Sequence, residues 1–302
     1  MPNERNHSTL WPDGHFESCF NNRMLLRDAL KAAIDRLTAA QVGSPRMNAE
    51  VLLMFALGRD RAYLYAHGDD ELKDPEFARY DDALTQRAQG VPSQYITGHQ
   101  EFWGMDFIVS PAVLIPRPET EHLIETVLPL ARAVDNPKIV DVGTGSGCVA
   151  LVLAKELPDA EIDAVDISAE ALDIARANAA RHQLQARVHF LRQDLLDGCP
   201  ANCFDIIVSN PPYVGESEAD QVHLEVRKFE PRNAVFAGKT GIEIIERLIP
   251  QAKAALKPGG FLVMEISGTI ADAVKPILAG WDELRVIPDL QSIPRIISAR
   301  KP

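Results

Sequence analysis

The chain is poor in cysteine, in basic charge and in long apolar runs, and each shortage removes a class of protein. Its 302 residues hold four cysteines, Cys19, Cys148, Cys199 and Cys203. So few in a chain this long exclude a disulfide framework. Cys199 and Cys203 have no His or further Cys at ligand spacing, so no metal site is expected. Lys and Arg number 31 against 43 Asp and Glu, a net charge of -12. A protein built to grip phosphate backbones needs clustered basic residues, so direct nucleic-acid binding is not expected. No apolar run approaches the roughly 18 residues that span a bilayer. Residues 1–21 lack the apolar centre of a signal peptide. The expectation is a cytoplasmic protein that does not meet the membrane. Repeats and low-complexity tracts are missing as well.

What is present is an ordinary globular composition, 46% hydrophobic and 25% charged, enough for one large or two ordinary domains. Residues 1–20 read as a disordered tail. Residues 21–91 read as a small helical bundle. Leu26, Leu30, Ala33, Ile34 and Leu37 recur at helical steps. Ser44-Pro45 offers an N-cap and a first-turn proline, and Asp74-Pro75 opens another helix. Residues 92–116 read as a β-hairpin connector, with Gln94 to Thr97 and Phe107 to Val109 extended. From 117 to 302, seven short apolar strands alternate with helices. That alternation predicts an α/β domain with a mostly parallel sheet covered on both faces.

Three features of this domain sit where strands end. The first strand runs into Gly143-Thr144-Gly145-Ser146-Gly147, which opens a helix. Glycines permit a sharp turn and let a ligand approach the main chain. The spacing is neither the dinucleotide fingerprint nor a P-loop. The second strand ends in Asp166, whose carboxylate can accept from both hydroxyls of a ribose. The third ends in Asp194-Leu195. Asp194 could accept from an adenine amino group and Leu195 could pack on the ring. Open parallel sheets bind ligands at this edge, so the three together point to a nucleoside.

The fourth strand runs into Asn210-Pro211-Pro212-Tyr213. The prolines remove backbone donors and stiffen the turn. A planar NH2 group needs two acceptors, and the Asn210 side-chain oxygen and the Pro211 carbonyl can provide them. Tyr213 adds an aromatic wall for a flat substrate. An amide nitrogen is a poor nucleophile, so holding it in line with a methyl donor matters more than a strong base. The same acceptors stabilise positive charge developing on the nitrogen. The residues alone leave open whether the NH2 belongs to a base or to an amide.

Asp141 to Gly147, Asp166 and Asn210 to Tyr213 together resemble a class I S-adenosylmethionine-dependent methyltransferase with a Rossmann-like sheet. More closely, the chain resembles the peptide chain release factor N5-glutamine methyltransferases. The likeness includes Ser44-Pro45-Arg46, Tyr95-Ile96-Thr97-Gly98, Glu101-Phe102-Trp103-Gly104, Ile115 to Glu121, Phe229-Glu230-Pro231-Arg232 and Lys257-Pro258-Gly259-Gly260. Where that family often carries Glu-Ile-Gly, this chain has Glu265-Ile266-Ser267-Gly268. The resemblance implies that the glycine loop, Asp166 and the Asp194-Leu195 corner hold S-adenosyl-L-methionine, with Asn210 adjoining it. It implies that Asn210, Pro211, Pro212 and Tyr213 hold the glutamine of a Gly-Gly-Gln tripeptide in a class 1 release factor. The products would be N5-methylglutamine and S-adenosylhomocysteine. A monomer is expected, with the helical bundle docking the protein substrate. Two rival substrates remain. A related enzyme acts on a glutamine of a ribosomal protein, and DNA amino-methyltransferases use the same Asn-Pro-Pro-Tyr chemistry on a flipped base.

Overall fold

The computed structural model describes residues 24–302; the tail expected at 1–20, together with Cys19, lies outside the described residues. The chain divides into two compact units after Thr97, inside the stretch expected to form the connector.

The first unit is helical. Helices α1 (Leu26–Ala39), α2 (Pro45–Leu57), α3 (Arg61–Ala66), α4 (Asp74–Ala88) and α5 (Ser93–Thr97) make it up. Leu26, Ala29, Ala33 and Leu37 form the buried face of α1, and they meet Leu52, Leu53, Tyr80 and Leu84 in one core. The Tyr80 hydroxyl, inside that core, donates to the Ala49 carbonyl at 3.0 Å, as a buried phenol must. Two local expectations fail. Ser44 stands at the N-cap position with Pro45 in the first turn, as expected, but it is left-handed (φ 50°) and its side chain makes no cap bond; Asn48 Nδ2 donates to the Gly43 carbonyl at 2.8 Å. Residues 94–97 are not extended but belong to α5. Short apolar runs do not separate strand from helix by periodicity.

The second unit begins with a hairpin, β1 (His99–Phe102) and β2 (Met105–Ile108). Then come α6 (Glu121–Ala131), β3 (Lys138–Val142), α7 (Cys148–Glu156), β4 (Glu161–Asp166), α8 (Ala169–Arg181), β5 (Val188–Arg192) and β6 (Phe204–Ser209). A short pair, β7 (Val214–Gly215) and β8 (Phe236–Gly238), brackets helices α9 (Leu224–Phe229) and α10 (Arg232–Val235). Helix α11 (Glu243–Ala255), β9 (Leu256–Glu265), β10 (Asp282–Pro288) and β11 (Pro294–Arg300) complete the chain. Seven strands form the main sheet in the order β10-β11-β9-β6-β3-β4-β5. The β3, β4, β5, β6 and β9 pairings are parallel, and β11 runs antiparallel to both neighbours. Successive residues of β3 serve opposite faces. Ile139 joins one core with α6 and α7, and Val140 joins another with α11. Both faces are covered, which explains the near-continuous apolar strands. The strand order reverses between β3 and β6, so a crevice opens at their carboxyl ends. Among the described residues, no helix is long and apolar enough to cross a membrane.

Candidate active site

A pocket opens at that crevice. Gly143, Thr144, Gly145 and Ser146 line one side with Asp166, and Asn210 and Pro212 line another. Gly143 and Thr144 donate their N–H groups to the Val165 carbonyl at 2.9 and 3.0 Å, which ties the glycine loop to β4. Gly143, Gly145 and Gly147 all have positive φ (75°, 55° and 81°), a conformation costly to any residue with a Cβ. Their surroundings differ. A Cβ at Gly143 or Gly145 would meet nothing within 4 Å, whereas one at Gly147 would lie 3.1 Å from the Ala175 Cβ. The first two glycines therefore keep the pocket floor clear, and the third lets α7 and α8 pack.

Asp166 is held as an acceptor. Its Oδ2 takes the Gly145 N–H and its Oδ1 the Ser168 N–H, both at 2.9 Å. Ser168 caps α8 by accepting from the Ala171 N–H at 3.1 Å, so Asp166 is spared that task. Ile167 follows Asp166 into the pocket lining with 54% of its surface exposed, an apolar face beside that carboxylate. Asp194 and Leu195 do not line the pocket. Asp194 pairs with Arg247 at 2.7 Å, and Leu195 packs against the core on the α11 face.

Beneath the loop lies Asp141, almost wholly buried. It accepts from the Thr144 hydroxyl at 2.6 Å and the Ala150 N–H at 3.2 Å. Burial pushes its carboxyl up to about 7, against the pull of those two donors. Asn178, fully buried on α8, joins the loop to the hairpin. Its Nδ2 donates to the Ser146 and Ile108 carbonyls at 2.9 and 3.0 Å, and its Oδ1 accepts from the Ile108 N–H.

Asn210 sits between the glycine loop and the segment before α6. Its Nδ2 donates to Thr120 Oγ1 at 3.1 Å. The donor end of the carboxamide is thus occupied and Oδ1 remains an acceptor. Pro211 and Tyr213 do not line the pocket. The Tyr213 ring packs on the core of the α11 face, and its hydroxyl donates to Glu265 Oε1 at 3.2 Å. The expected aromatic wall is therefore turned away. Burial first, and Glu265 second, hold that phenol above its ordinary value.

Sequence reading missed the pocket's outer rim. Leu114 and Pro116 line one edge, Pro231 and Asn233 the other. Glu230 joins them: its buried carboxylate takes the Arg117 guanidinium through Oε1 and the Ile115 N–H through Oε2 at 3.2 Å. Arg117 and Glu230 each stand in a quoted motif, but nothing in the linear pattern pairs them.

A seven-stranded sheet with a glycine loop at its switch point and an acidic residue ending the next strand defines a class I methyltransferase. Such enzymes draw their methyl group from S-adenosylmethionine. The chain belongs to the release factor glutamine methyltransferases. It is 56% identical over 280 residues to the release factor glutamine methyltransferase of Koribacter versatilis, covering 92% of this chain and 99% of that one. The Escherichia coli protein of the same name is 40% identical, over 90% of this chain and 97% of its own. The PrmC N-terminal domain family matches residues 28–98 and the methyltransferase small domain family residues 119–228. Among solved structures, the hMettl16 catalytic domain in complex with MAT2A 3'UTR hairpin 1 aligns with a TM-score of 0.54 at 16% identity. That likeness covers 83% of this chain and 93% of that one and is one of fold.

Proposed function

We propose that this chain transfers a methyl group from S-adenosyl-L-methionine to the side-chain amide nitrogen (N5) of the glutamine in the Gly-Gly-Gln tripeptide of class 1 release factors. The products are N5-methylglutamine, S-adenosylhomocysteine and the proton that leaves the amide nitrogen. The observation that carries the reading is Asn210, whose donor end is spent on Thr120 while it borders the glycine-loop pocket.

The cofactor fits on physical grounds. Gly143 and Gly145 leave open the space their side chains would fill, which suits a ligand laid against the main chain. Asp166, already fixed by two N–H groups, would accept from the ribose hydroxyls, and Ile167 would cover a face of the adenine. Asp194 would reach the adenine amino group only by sharing its carboxylate with Arg247, and Leu195 would then border the ring. When bound, S-adenosylmethionine supplies a methyl group on a positively charged sulfur.

The residues of the chain do the rest. Asn210 Oδ1 accepts one N–H of the glutamine amide and so aims its lone pair; the Pro211 carbonyl would take the other only by turning towards the pocket, which Pro211 does not line. Orientation of this kind is worth up to roughly 7–11 kcal/mol in ideal cases. Asn210 Oδ1 also offsets the positive charge that grows on the nitrogen. Pro212 stiffens the turn at the pocket wall beside Asn210, and Tyr213 anchors it from behind through Glu265. The helical unit would dock the release factor, since a protein substrate needs more surface than a nucleoside pocket offers. Net charge of -12 suits basic patches on an RNA-binding partner. The enzyme would act in the cytoplasm as a monomer.

The test is transfer of labelled methyl to a purified release factor, its Gln→Ala variant, a ribosomal protein mixture and unmethylated DNA. Label confined to the unaltered release factor is expected. Label confined to DNA or to a ribosomal protein overturns the substrate, and label on the Gln→Ala variant overturns the site.

A further inference from the structure

We infer that Glu265 is a positioning residue for this reaction: through the Thr120 hydroxyl it keeps the Asn210 carboxamide turned with its oxygen towards the acceptor nitrogen. The role presupposes Asn210 as the acceptor for the substrate NH2.

A carboxamide has two orientations of nearly equal shape and opposite polarity. With Nδ2 forward, Asn210 would present a donor to an NH2 group that is itself a donor. The Nδ2 contact to Thr120 Oγ1 does not by itself prevent this, because a hydroxyl both donates and accepts. If the Thr120 proton pointed at Asn210, the carboxamide would turn round to meet it. What fixes the polarity is the group that takes the Thr120 proton.

Glu265 is that group. It ends β9, one residue past Met264, which pairs with Ser209 at the end of β6. Only 2% of its surface is exposed. Oε1 accepts from the Tyr213 hydroxyl, while Oε2 is buried and meets no donor at bonding geometry. The Thr120 hydroxyl lies beside this carboxylate and favours its charged form. A buried Oε2 left unsatisfied keeps its full desolvation penalty, and the Thr120 hydroxyl is the neighbouring side-chain donor that acts on this carboxylate. Above its raised value the carboxylate is ionised and only accepts, so there Thr120 donates to it and turns a lone pair towards Asn210 Nδ2. The polarity then runs without a break from carboxylate to hydroxyl to carboxamide to substrate. Chains of this kind strengthen one another in a low-dielectric interior.

The arrangement has a titration sign. Burial raises the Glu265 carboxyl above its ordinary value; Thr120 and Tyr213 lower it, Glu119 raises it and Arg295 lowers it. Arg295 reaches it from β11 while paired with Asp289 at 2.9 Å, and Arg117 acts on Tyr213. Once protonated, Glu265 becomes a donor, competes for the Thr120 lone pair and lets Asn210 turn. Turnover therefore falls on the acid side through the raised Glu265 value.

The experiment compares the full-length protein with E265Q, T120V, T120S and N210A, using S-adenosylmethionine and an intact release factor. A glutamine fills the same space but donates as well as accepts, so it leaves the polarity undecided. We expect E265Q and T120V each to lower kcat at least tenfold, with KM for the release factor and Kd for S-adenosylmethionine within about threefold. E265Q should also lose the acid limb of the kcat profile, T120S should keep most of the turnover, and E265Q with T120V should be no slower than either alone. Wild-type kcat and an unchanged pH profile in E265Q overturn the role of Glu265, as does a T120V enzyme of normal turnover. If E265Q does not fold, the pH profile decides: T120V should lose the acid limb, and a T120V enzyme that keeps it overturns the role of Glu265. An active N210A overturns the underlying reading instead, whatever Glu265 does.

Discussion

Two glycines of one loop should fail in opposite ways when each is given a methyl group. Gly145 and Gly147 both have positive φ, and holding alanine there costs about 1 kcal/mol at each. At Gly145 nothing else is met within 4 Å, so G145A should lose only that amount of stability. For a unit of this size about 1 kcal/mol is worth roughly 2–4 °C in Tm. At Gly147 the new Cβ lies 3.1 Å from the Ala175 Cβ and 3.3 Å from the Leu151 Cδ1. Both neighbours are buried, and overpacking adds about 1–3 kcal/mol. G147A should therefore melt roughly 5–15 °C lower.

Affinity should rank the other way. The Gly145 methyl would stand in the space proposed for the cofactor, so G145A should bind S-adenosylmethionine at least about tenfold more weakly, about 1.4 kcal/mol. The Gly147 methyl points between α7 and α8, away from that space, and G147A should bind nearly normally wherever it is folded. Calorimetric melting of the cofactor-free proteins and titration with S-adenosylmethionine well below both melting points make the comparison. If G145A loses as much stability as G147A yet binds normally, the loop is a structural turn and the cofactor lies elsewhere.

Asp141 should leave a mark on stability against pH. Its folded value of about 7 exceeds the ordinary carboxylate value, so the folded state holds a proton that the unfolded state releases. That stabilisation is complete below the ordinary value and is lost as pH rises through 7. Between about pH 6 and pH 8 the loss is about 1.4 kcal/mol. D141N should flatten the urea-unfolding profile by that amount, and an unaltered profile would exclude Asp141 as its source. Asp166→Ala removes the ribose acceptor and the anchor for two N–H groups, so Kd for S-adenosylmethionine should rise at least tenfold while kcat at saturation changes less. Normal affinity in titration would refute its assignment. Arg117→Ala leaves Glu230 buried with one N–H partner. A double-mutant cycle with Glu230→Gln, read by unfolding, should give a coupling of about 1–3 kcal/mol, below the fully buried range because Arg117 is a third exposed. Additive effects would dissolve the pair.

What the sequence made legible was what the backbone itself decides. The glycine loop, the prolines after Asn210 and the alternation of apolar strands with helices are local signals, and each lies where it was expected. The helical face of α1 was legible for the same reason, because 3.6-residue periodicity needs no knowledge of partners. The failures were of two kinds. Ser44 and residues 94–97 were local ambiguities, settled by chain path in one case and helix pairing in the other. Pairings were the larger gap. Asn178 meets Ile108 across 70 positions, Asn210 meets Thr120 across 90, and Arg117 meets Glu230 across 113. No spacing rule reaches that far. Tyr213 shows the limit sharply: its motif was recognisable, but not which way its ring would turn.

Sheet order explains why so short a motif suffices to bring donor and acceptor groups together. Chain order places β3, β4 and β5 side by side in one direction and returns β6 to the other flank of β3. The loops that end the first and fourth of these strands are thereby neighbours, at the one edge where both carboxyl ends open. Any chain wound this way sets Asn210 beside the glycine loop, whatever the acceptor. The choice among acceptors must then come from residues outside both loops. Thr120 and Glu265 behind Asn210 set a polarity that any NH2 acceptor needs, so the choice falls to the rim, where Arg117 and Glu230 meet. Thr120, Arg117 and Glu230 lie in segments where the likeness to the release factor enzymes was read, and Glu265 is kept where Ser267 departs from the usual Glu-Ile-Gly.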